Sequence, residues 1–390
     1  MKECLMPASP AVNAELRAAC TRVLSLHRPL DPRAWFQRLA ASPYAAMNID
    51  QYGQGEAVQL LEGRVAALLG KPAAVFVPKG TVAQMAALRV HTDRRAARTV
   101  ALHPLSHIEL DEDGAVERLH HLTPVRVGTM TVPFTCADLA PVRERLGALV
   151  IELPLRRAAF QLPEWTALVD LHAWAAERGV PLHLDGARLW SSAPSYGRTY
   201  SDIAALADSV YVSLYKDVGG LGGCVLAGQE DFIDEVRPWL ARHGSLMYRS
   251  FPLVVSALDG LDRHLPRMTS YVSRAQALAA QLAGVDGVRI RPGVPHTSGF
   301  QVLLEGDPDR LRQAADDLAR EQSVWLFSEV RFTEVPGISM IEIQVGDAAE
   351  DFTDEEIAGF FREVMRGARA ASGSQEPFLK SSQEDRVPGE

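Results

Sequence analysis

Two neighbouring strands predicted in the sequence each lead to a side chain that could take part in catalysis. The apolar run Pro181–Leu184 leads directly into Asp185, with Arg188 shortly after it. The next apolar run, Ser209–Leu214, leads into Lys216. Parallel sheets bind ligands at the carboxyl ends of their strands. Partial burial at such an end lowers the pKa of a lysine and favours the free amine, which can attack a carbonyl group.

A third stretch, earlier in the chain, could bind a phosphate. The strand predicted over Ala73–Val77 is followed by Lys79, Gly80 and Thr81, and then by a helix predicted over Val82–His91. Main-chain N–H groups at the start of a helix, helped by a hydroxyl, bind anions. An anion cradle, a strand-end carboxylate and a strand-end lysine are together the parts that a pyridoxal phosphate enzyme needs.

Two of these residues also have simpler interpretations. Lys216 could be a lysine that extends from the strand end into solvent. Asp185 could cap the following helix, because aspartate is a favoured N-cap residue, although capping does not exclude a role in cofactor binding.

The elements that must position these residues alternate along the chain. Short apolar strands separated by helical patterns predict an α/β fold, with a mostly parallel sheet covered on both faces. The predicted strands are Ala73–Val77, Thr99–Leu102, Val125–Val127, Ala148–Leu153, Pro181–Leu184, Ser209–Leu214 and Cys224–Ala227. The predicted helices of this region are Glu56–Leu69, Val82–His91, Ala137–Leu146, Glu164–Arg178 and Asp202–Ala207.

The pattern divides the chain into four parts. Residues 1–45 are predicted as an N-terminal helical segment, with a helix over Ala11–Leu24, and residues 46–260 as a large cofactor-binding domain. Residues 261–370 are predicted as a smaller C-terminal α+β domain, and residues 371–390 as a disordered tail. A long helix is predicted across the boundary, followed by further elements: Leu253–Leu282, Phe300–Leu304, Pro308–Arg320, Val324–Phe327, Ser339–Val345 and Asp354–Arg369.

Composition excludes several classes of protein. With 390 residues, 47% of them hydrophobic, and a net charge of −9, the chain is typical of a globular protein that does not bind nucleic acid. No apolar run approaches the roughly twenty residues of a membrane span, and the N-terminus lacks the apolar core of a signal peptide. We therefore expect a cytoplasmic protein with no membrane partner. The four cysteines form no CxxC pair, so we predict neither a disulfide framework nor a metal site.

The motifs occur in the same order in a known family. The chain resembles the threonine aldolase / aromatic amino acid β-eliminating lyase family of fold-type-I pyridoxal phosphate enzymes, from about residue 45 to residue 260. The matching stretches are Tyr52-Gly53, Leu61-Glu62, Gly70–Thr81, Ser106–Ile108, His183–Leu189, Ser213–Lys216, Gly222–Gly228 and Met247–Arg249.

The resemblance implies how the cofactor, pyridoxal 5′-phosphate, would be held. Lys216 would bind its aldehyde, and Asp185 would pair with its ring nitrogen. Gly80 and Thr81 would bind its phosphate, and His107 would stack on its ring. For His107 an ordinary structural role stays open, because a single histidine in such a position is often a surface or core residue.

Further residues would complete the site. Ser213 and Arg249 are additional candidates for contacts to the phosphate, Arg249 from across a subunit interface. Arg188 would hold the carboxylate of a small amino acid substrate, a task that suits its planar, two-pronged donor. The resemblance also implies a homodimer or homotetramer with its sites near a subunit interface.

The implied reaction is retro-aldol cleavage of a threonine-like β-hydroxy-α-amino acid to glycine and an aldehyde. The candidate bases are His107 and Glu152. The chain departs from the family in the stretch Glu152–Arg156, where the family has Glu-Asn-Thr-His, and at Met340, where it has an arginine that Arg331 could replace. These departures leave open β-elimination, another lyase reaction on a different amino acid, or a cofactor-binding protein without turnover.

Two polar stretches carry no predicted role. Asp111–Asp113 and His120-His121 are predicted as solvated surface charge.

Overall fold

A computed structural model describes residues 14–370, so the tail predicted over 371–390 and the first residues of the helix predicted from Ala11 lie outside the described part. Within that part, the strands are β1 (Arg22–Val23), β2 (Ala73–Val77), β3 (Thr99–Leu102), β4 (Thr123–Arg126), β5 (Leu146–Glu152), β6 (Leu182–Gly186), β7 (Ser209–Ser213), β8 (Cys224–Gly228), β9 (Val288–Arg291), β10 (Gly299–Glu305), β11 (Val324–Trp325), β12 (Arg331–Phe332) and β13 (Ile338–Gln344).

Helices surround these strands. They are α1 (Ala14–Ala19), α2 (Pro32–Ala41), α3 (Glu56–Leu69), α4 (Gly80–Arg95), α5 (His107–Leu110), α6 (Ala115–His120), α7 (Cys136–Leu139), α8 (Trp165–Glu177), α9 (Leu189–Tyr196), α10 (Tyr200–Ala204), α11 (Glu230–Arg242), α12 (Phe251–His264), α13 (Met268–Leu282), α14 (Pro308–Gln322) and α15 (Asp354–Ala370).

The large domain is built on a seven-stranded sheet in the order β2-β8-β7-β6-β5-β3-β4. Strands β7, β6, β5, β3 and β4 are parallel neighbours, and β8 is antiparallel to both β7 and β2. Strands β5 to β8 are buried at every position, which explains why they read as continuous apolar runs in the sequence. The predicted α/β class with a mostly parallel sheet is confirmed.

The small domain contains the four-stranded antiparallel sheet β12-β13-β10-β9, and helices α13, α14 and α15 pack on one another beside it. Burial alternates along β13, so that Ser339, Ile341 and Ile343 face the core while Met340, Glu342 and Gln344 are partly exposed. The segment near the N-terminus joins this domain, because β1 pairs in parallel with β11.

Three of the helix predictions differ most from the structure. The helix predicted over Ala137–Leu146 ends at Leu139, since Pro141 has no N–H group to continue it and β5 begins at Leu146. The stretch Leu253–Leu282 is divided into α12 and α13 by a 3₁₀ turn that contains Pro266. The helix predicted over Ala11–Leu24 ends at Ala19, because the residues after it pair with β11.

Among the residues that the structure describes, no helix is both long enough and apolar enough to cross a membrane.

Candidate active site

The ends of three neighbouring parallel strands bring the predicted residues together. Glu152 ends β5 and is paired in register with Asp185 on β6, which is paired in turn with Tyr211 on β7. Lys216 follows β7 by three residues. The carboxyl ends of parallel strands lie at one edge of a sheet, so this register places both carboxylates and the lysine at the same edge.

Lys216 lies in the turn after β7. Its main-chain oxygen accepts hydrogen bonds from Nε2 of His27 at 2.8 Å and from the N–H of Gly219 at 3.0 Å, which fixes the turn. Burial and the nearby charge of Arg188 lower the pKa of its amine to about 8, although Asp185 and Glu152 oppose this effect. About a tenth of this amine is therefore unprotonated at pH 7, far more than at the usual pKa of a lysine.

Asp185 and Glu152 form a pair of buried carboxylates. Oε2 of Glu152 accepts the main-chain N–H of His107 at 2.7 Å, and Oε1 accepts that of Arg156 at 3.2 Å. Oδ1 of Asp185 accepts the N–H of Ala187 at 3.2 Å. Burial raises the pKa of both groups, and the charge of Asp185 helps to raise that of Glu152 to about 7. The pair can thus hold a proton that an isolated carboxylate would release.

His107 begins α5 beside this pair. Its Nδ1 lies 3.2 Å from Oε1 of Glu112, whose side chain is almost fully buried. Burial by itself would lower the pKa of His107, but Glu112 and the charge of Asp185 outweigh it and raise this pKa above its usual value. The ring is one-third exposed, so it can contact a ligand at the sheet edge.

Arg188 connects the large domain to the small one. Its Nε donates a hydrogen bond to Oε1 of Gln344 on β13 at 2.9 Å, and its guanidinium carbon lies 5.3 Å from the ring centre of Phe160. A Cβ atom at Gly299 would lie 2.6 Å from the ring of Phe160, so glycine is required for this packing. Burial lowers the pKa of Arg188, whose charge is partly balanced by the buried Asp217.

The start of α4 lies near β7. A Cβ atom at Gly80 would lie 2.4 Å from the hydroxyl of Tyr211, so only glycine fits there. The residue that precedes α4, Lys79, makes no side-chain capping hydrogen bond. At the end of β7, Oγ of Ser213 is fully buried and has no hydrogen-bond partner in the described part of the chain. The N–H groups of Gly80 and Thr81 in the first turn, like this hydroxyl, are therefore donors available to an anion.

Arg249 is placed apart from the other predicted residues. It donates a hydrogen bond to the main-chain oxygen of Asp50, and its guanidinium carbon lies 4.3 Å from the ring centre of Tyr248. Within residues 14–370, no hydrogen bond or ion pair joins it to the strand-end cluster.

A buried hydrogen-bonded chain lies behind the site and was not predicted. His183 on β6 contacts Oε1 of Gln84 on α4 at 2.5 Å and Oγ of Ser209 on β7 at 2.7 Å, and Ser209 contacts His91 at 2.7 Å. Burial lowers the pKa of His183 to about 3, so its ring is neutral. This chain ties α4 to the two strands that carry Asp185 and Lys216.

Comparison with known proteins identifies the family. Residues 39–302 match the model of the beta-eliminating lyase family. This match covers more than half of the chain. The chain belongs to the beta-eliminating lyase family. The predicted resemblance is confirmed, and the family match spans the large domain together with the first strands of the small one.

Relatives from several organisms agree with this assignment. A low-specificity L-threonine aldolase of Arabidopsis thaliana is 28% identical over 280 residues, which cover 68% of this chain and 77% of that protein. A Listeria monocytogenes structure assigned as an L-allo-threonine aldolase is 32% identical, with a TM-score of 0.85, over 90% of this chain and 98% of that one. Serine palmitoyltransferase of Sphingomonas wittichii, at 16% identity and a TM-score of 0.64, shares the fold.

The residues of this family member fit pyridoxal phosphate, the cofactor that its fold implies. The open start of α4 and the unpartnered hydroxyl of Ser213 suit a phosphate. The buried carboxylate of Asp185 suits a protonated ring nitrogen, and the amine of Lys216 suits an aldehyde. Each donor set thus matches one end of the molecule.

The two polar stretches predicted as surface charge are partly buried instead. Glu112 is only 6% exposed and supports His107, and His120 is only 2% exposed and contacts His243 on α11. Helix α6 and the turn before it fold back over the sheet and bury these side chains. The acidic run Asp111–Asp113 in the sequence could not indicate this contact. Asp113 and His121 are exposed, as predicted.

The small domain contains Met340 and Arg331, the positions at which the sequence departs from the family's arginine. Arg331 on β12 lies directly opposite Met340 on β13, and its guanidinium is 3.6 Å from Glu342. Glu342 also pairs with Arg156 at 2.8 Å. Neither Glu342 nor Gln344 was among the predicted site residues. Polar residues at alternate positions along β13 indicate one exposed face of the strand and could have identified them.

Proposed function

We propose that this enzyme is a pyridoxal phosphate-dependent aldehyde-lyase that cleaves a threonine-like β-hydroxy-α-amino acid to glycine and an aldehyde. The observation that carries the proposal is the strand-end cluster: an amine with a pKa of about 8 beside a buried carboxylate pair. Relatives named as threonine aldolases support the choice of reaction.

Five residues would hold the cofactor. The N–H groups of Gly80 and Thr81 would bind its phosphate, with Oγ of Ser213. Asp185 would accept a hydrogen bond from its protonated ring nitrogen, and Lys216 would bind its aldehyde. Pyridoxal phosphate supplies a ring that takes up the electron pair released when a bond to the α-carbon breaks.

His107 and Arg188 would orient the bound molecules. The partly exposed ring of His107 would stack on the cofactor, held at its Nδ1 by Glu112. Arg188, anchored at Nε by Gln344, keeps its terminal N–H groups for the substrate's carboxylate. Because Arg188 is buried, this ion pair would exclude water from the substrate's α-carbon.

Glu152 would act as the base. Its pKa of about 7 suits it to take the proton of the substrate's β-hydroxyl near neutral pH. The Cα–Cβ bond then breaks, the β-carbon leaves as an aldehyde, and a proton returned to the α-carbon gives glycine. The two main-chain hydrogen bonds from His107 and Arg156 hold the carboxylate in place during this transfer.

A homo-oligomer is part of the proposal. Large apolar side chains are exposed close to Lys216 and around Arg249, and the rings of Tyr52 and Tyr248 are in contact. These exposed side chains are Ile49, Tyr52, Tyr215, Leu221, Leu246, Met247, Tyr248 and Phe251. Such a patch marks a protein interface. A second copy seated there would bring its own Arg249 towards a neighbouring site.

Product analysis tests the reaction. The purified protein with pyridoxal phosphate is incubated with threonine and, separately, with allo-threonine, and glycine, acetaldehyde, 2-oxobutanoate and ammonia are measured. Equal amounts of glycine and acetaldehyde support the proposal. Ammonia with 2-oxobutanoate would identify β-elimination instead, and no product from threonine or allo-threonine would overturn the aldolase assignment.

A further inference from the structure

A cluster of His27, His264 and Asp347 lies against the turn that carries Lys216. One ring nitrogen of each histidine and a carboxylate oxygen of Asp347 lie within 4.8 Å of one another. The three residues come from the segment after β1, the end of α12, and a 3₁₀ helix of the small domain. They are largely buried: the exposed fraction is 17% for the side chain of His27 and 13% for that of Asp347.

The two nitrogens of His27 face two acceptors. Nε2 lies 2.8 Å from the main-chain oxygen of Lys216, which can only accept, so Nε2 carries a proton. Nδ1 lies 3.4 Å from Oδ1 of Asp347 and, although buried, has no hydrogen-bond partner in the described part of the chain. In a neutral ring this nitrogen is a lone pair aimed at a carboxylate, an arrangement that a cation between the two atoms would stabilise.

The spacing of His27 and Asp347 favours a metal ion over a shared proton. A proton between a ring nitrogen and a carboxylate brings the two atoms to about 2.7–2.9 Å. Zinc bonds of about 2.0–2.1 Å at tetrahedral angles separate two ligand atoms by about 3.4 Å. The observed 3.4 Å is the spacing of two neighbouring ligands.

Both histidines have an outer partner of the kind that metal ligands use. A histidine that binds a metal through one nitrogen commonly uses the other in a hydrogen bond, which fixes the orientation of its ring. The Nε2 of His27 has the carbonyl of Lys216, and Nδ1 of His264 lies 3.0 Å from the hydroxyl of Tyr271. The ligand atoms of the three residues lie within 4.8 Å of one another, against about 3.4 Å between neighbouring ligands of a tetrahedral zinc ion, so a movement of His264 on the order of 1 Å would complete the set.

The surrounding charges allow a divalent ion. Oδ1 of Asp347 accepts the main-chain N–H of Arg28 at 3.1 Å, and the guanidinium of Arg28 is 3.9 Å from Oδ2. That guanidinium is itself paired with Asp351 at 2.7 Å and lies 3.6 Å from Glu350. Arg267 also pairs with Glu350, and the charges of Arg267 and Arg38 act on His264, so the three carboxylates of Asp347, Asp351 and Glu350 balance these three arginines.

We propose that His27, His264 and Asp347 form a binding site for a divalent metal ion of the zinc type, with water as the fourth ligand. Two imidazoles, one carboxylate and a water form a donor set that zinc uses in proteins. The ion would join the N-terminal segment, α12 and the small domain at the turn of Lys216. A Cβ atom at Gly219 would lie 2.9 Å from the ring of His27, which shows how closely the site packs on that turn.

Zinc titration of the holoenzyme tests the proposal. After treatment with a chelator, the protein is titrated with Zn²⁺ in a calorimeter, beside His264→Gln, Asp347→Asn and the control His296→Gln. His296 is a half-buried histidine outside the cluster that accepts the N–H of Leu162. We expect one Zn²⁺ per chain in the wild type and in the control, and an affinity at least about 100-fold lower in both cluster variants.

A wild type that binds no stoichiometric Zn²⁺ would overturn the proposal, as would cluster variants that bind it unchanged. Thermal unfolding of every variant in chelator, with the absorbance of bound cofactor, checks that each one folds. If His264→Gln fails this check, Asp347→Asn, which preserves the shape of the side chain, decides the outcome. Zn²⁺ should raise the unfolding temperature of the wild type and leave that of Asp347→Asn unchanged.

Discussion

Two surfaces meet at the site and differ in how their charges are paired: the edge of the large-domain sheet formed by the strand ends, and one face of β13 in the small-domain sheet. The ends of β5, β6 and β7 hold charges that are buried with few opposite partners, so Glu152 has a pKa of about 7 and Lys216 one of about 8. The exposed face of β13 holds Glu342 in ion pairs with Arg156 and Arg331, and a neutral amide at Gln344. Arg188 lies beside both surfaces.

This difference separates chemistry from positioning. A buried group with a shifted pKa can exchange a proton near neutral pH, whereas a carboxylate held in ion pairs orients the side chains it contacts. We therefore expect substitutions at the large-domain edge to change kcat, and those on the face of β13 to change KM.

Replacement of the lysine should have the largest effect. Lys216→Ala removes the amine that binds the cofactor and moves protons, so the rate of threonine cleavage should fall at least about 10⁴-fold. The matched control is Lys71→Ala, which removes another lysine whose pKa burial lowers but which donates to the oxygen of Ala207. Loss of activity in both variants would contradict the assignment.

Neutralising the proposed base should lower kcat about 10²- to 10⁴-fold. In the wild type, kcat/KM should rise with pH through about 7, because Glu152 is the active base only when it is deprotonated, above its pKa. Glu152→Gln should abolish this limb of the profile. Glu342→Gln, on the face of β13, should change kcat less than about 10-fold, and an equal loss of kcat in both variants would contradict the difference between the two surfaces.

The substrate's carboxylate offers a test of intermediate size. Arg188→Lys replaces a planar two-pronged donor by a point charge, so KM for threonine should rise about 10- to 100-fold. Arg198→Lys is the control, because Arg198 also stacks on an aromatic ring, that of Trp165. An unchanged KM in Arg188→Lys would show that another group binds the carboxylate.

The smallest effect is expected at the anchor of that arginine. Gln344→Leu removes the acceptor of the Nε hydrogen bond, which should raise KM less than about 10-fold and leave kcat unchanged. Gln313→Leu, on α14, serves as the control, since Gln313 contacts Asp317 on an exposed surface. A large fall in kcat would show that β13 takes part in the chemistry.

The sequence predicted the site residues at the large-domain edge far better than those on the face of β13. Lys216 and Asp185 follow buried strands, and such strands are visible as apolar runs because both faces of a parallel sheet are covered. Gln344 and Glu342 lie on a strand whose position over the site depends on how the two domains pack. Local sequence patterns do not indicate how the two domains pack, so they could not place these two residues at the site.

Long-range contacts also explain the other omissions. Glu112 reaches His107 only because α5 and α6 fold back over the sheet, and His27 reaches Lys216 across 189 residues of sequence. The end of α1 was missed for the same reason, because residues 22 and 23 become a strand by pairing with β11. In each case a tertiary contact overrode the local pattern.

Borohydride reduction followed by peptide mapping tests the central claim most directly. The chain has five lysines, at positions 2, 71, 79, 216 and 380, so the attachment point of the cofactor can be read without ambiguity. Reduction fixes the carbon–nitrogen bond between a lysine and the cofactor's aldehyde. A pyridoxyl group on the peptide that contains Lys216 is the predicted result. A label on any other lysine, or no label after incubation with pyridoxal phosphate, would contradict the account.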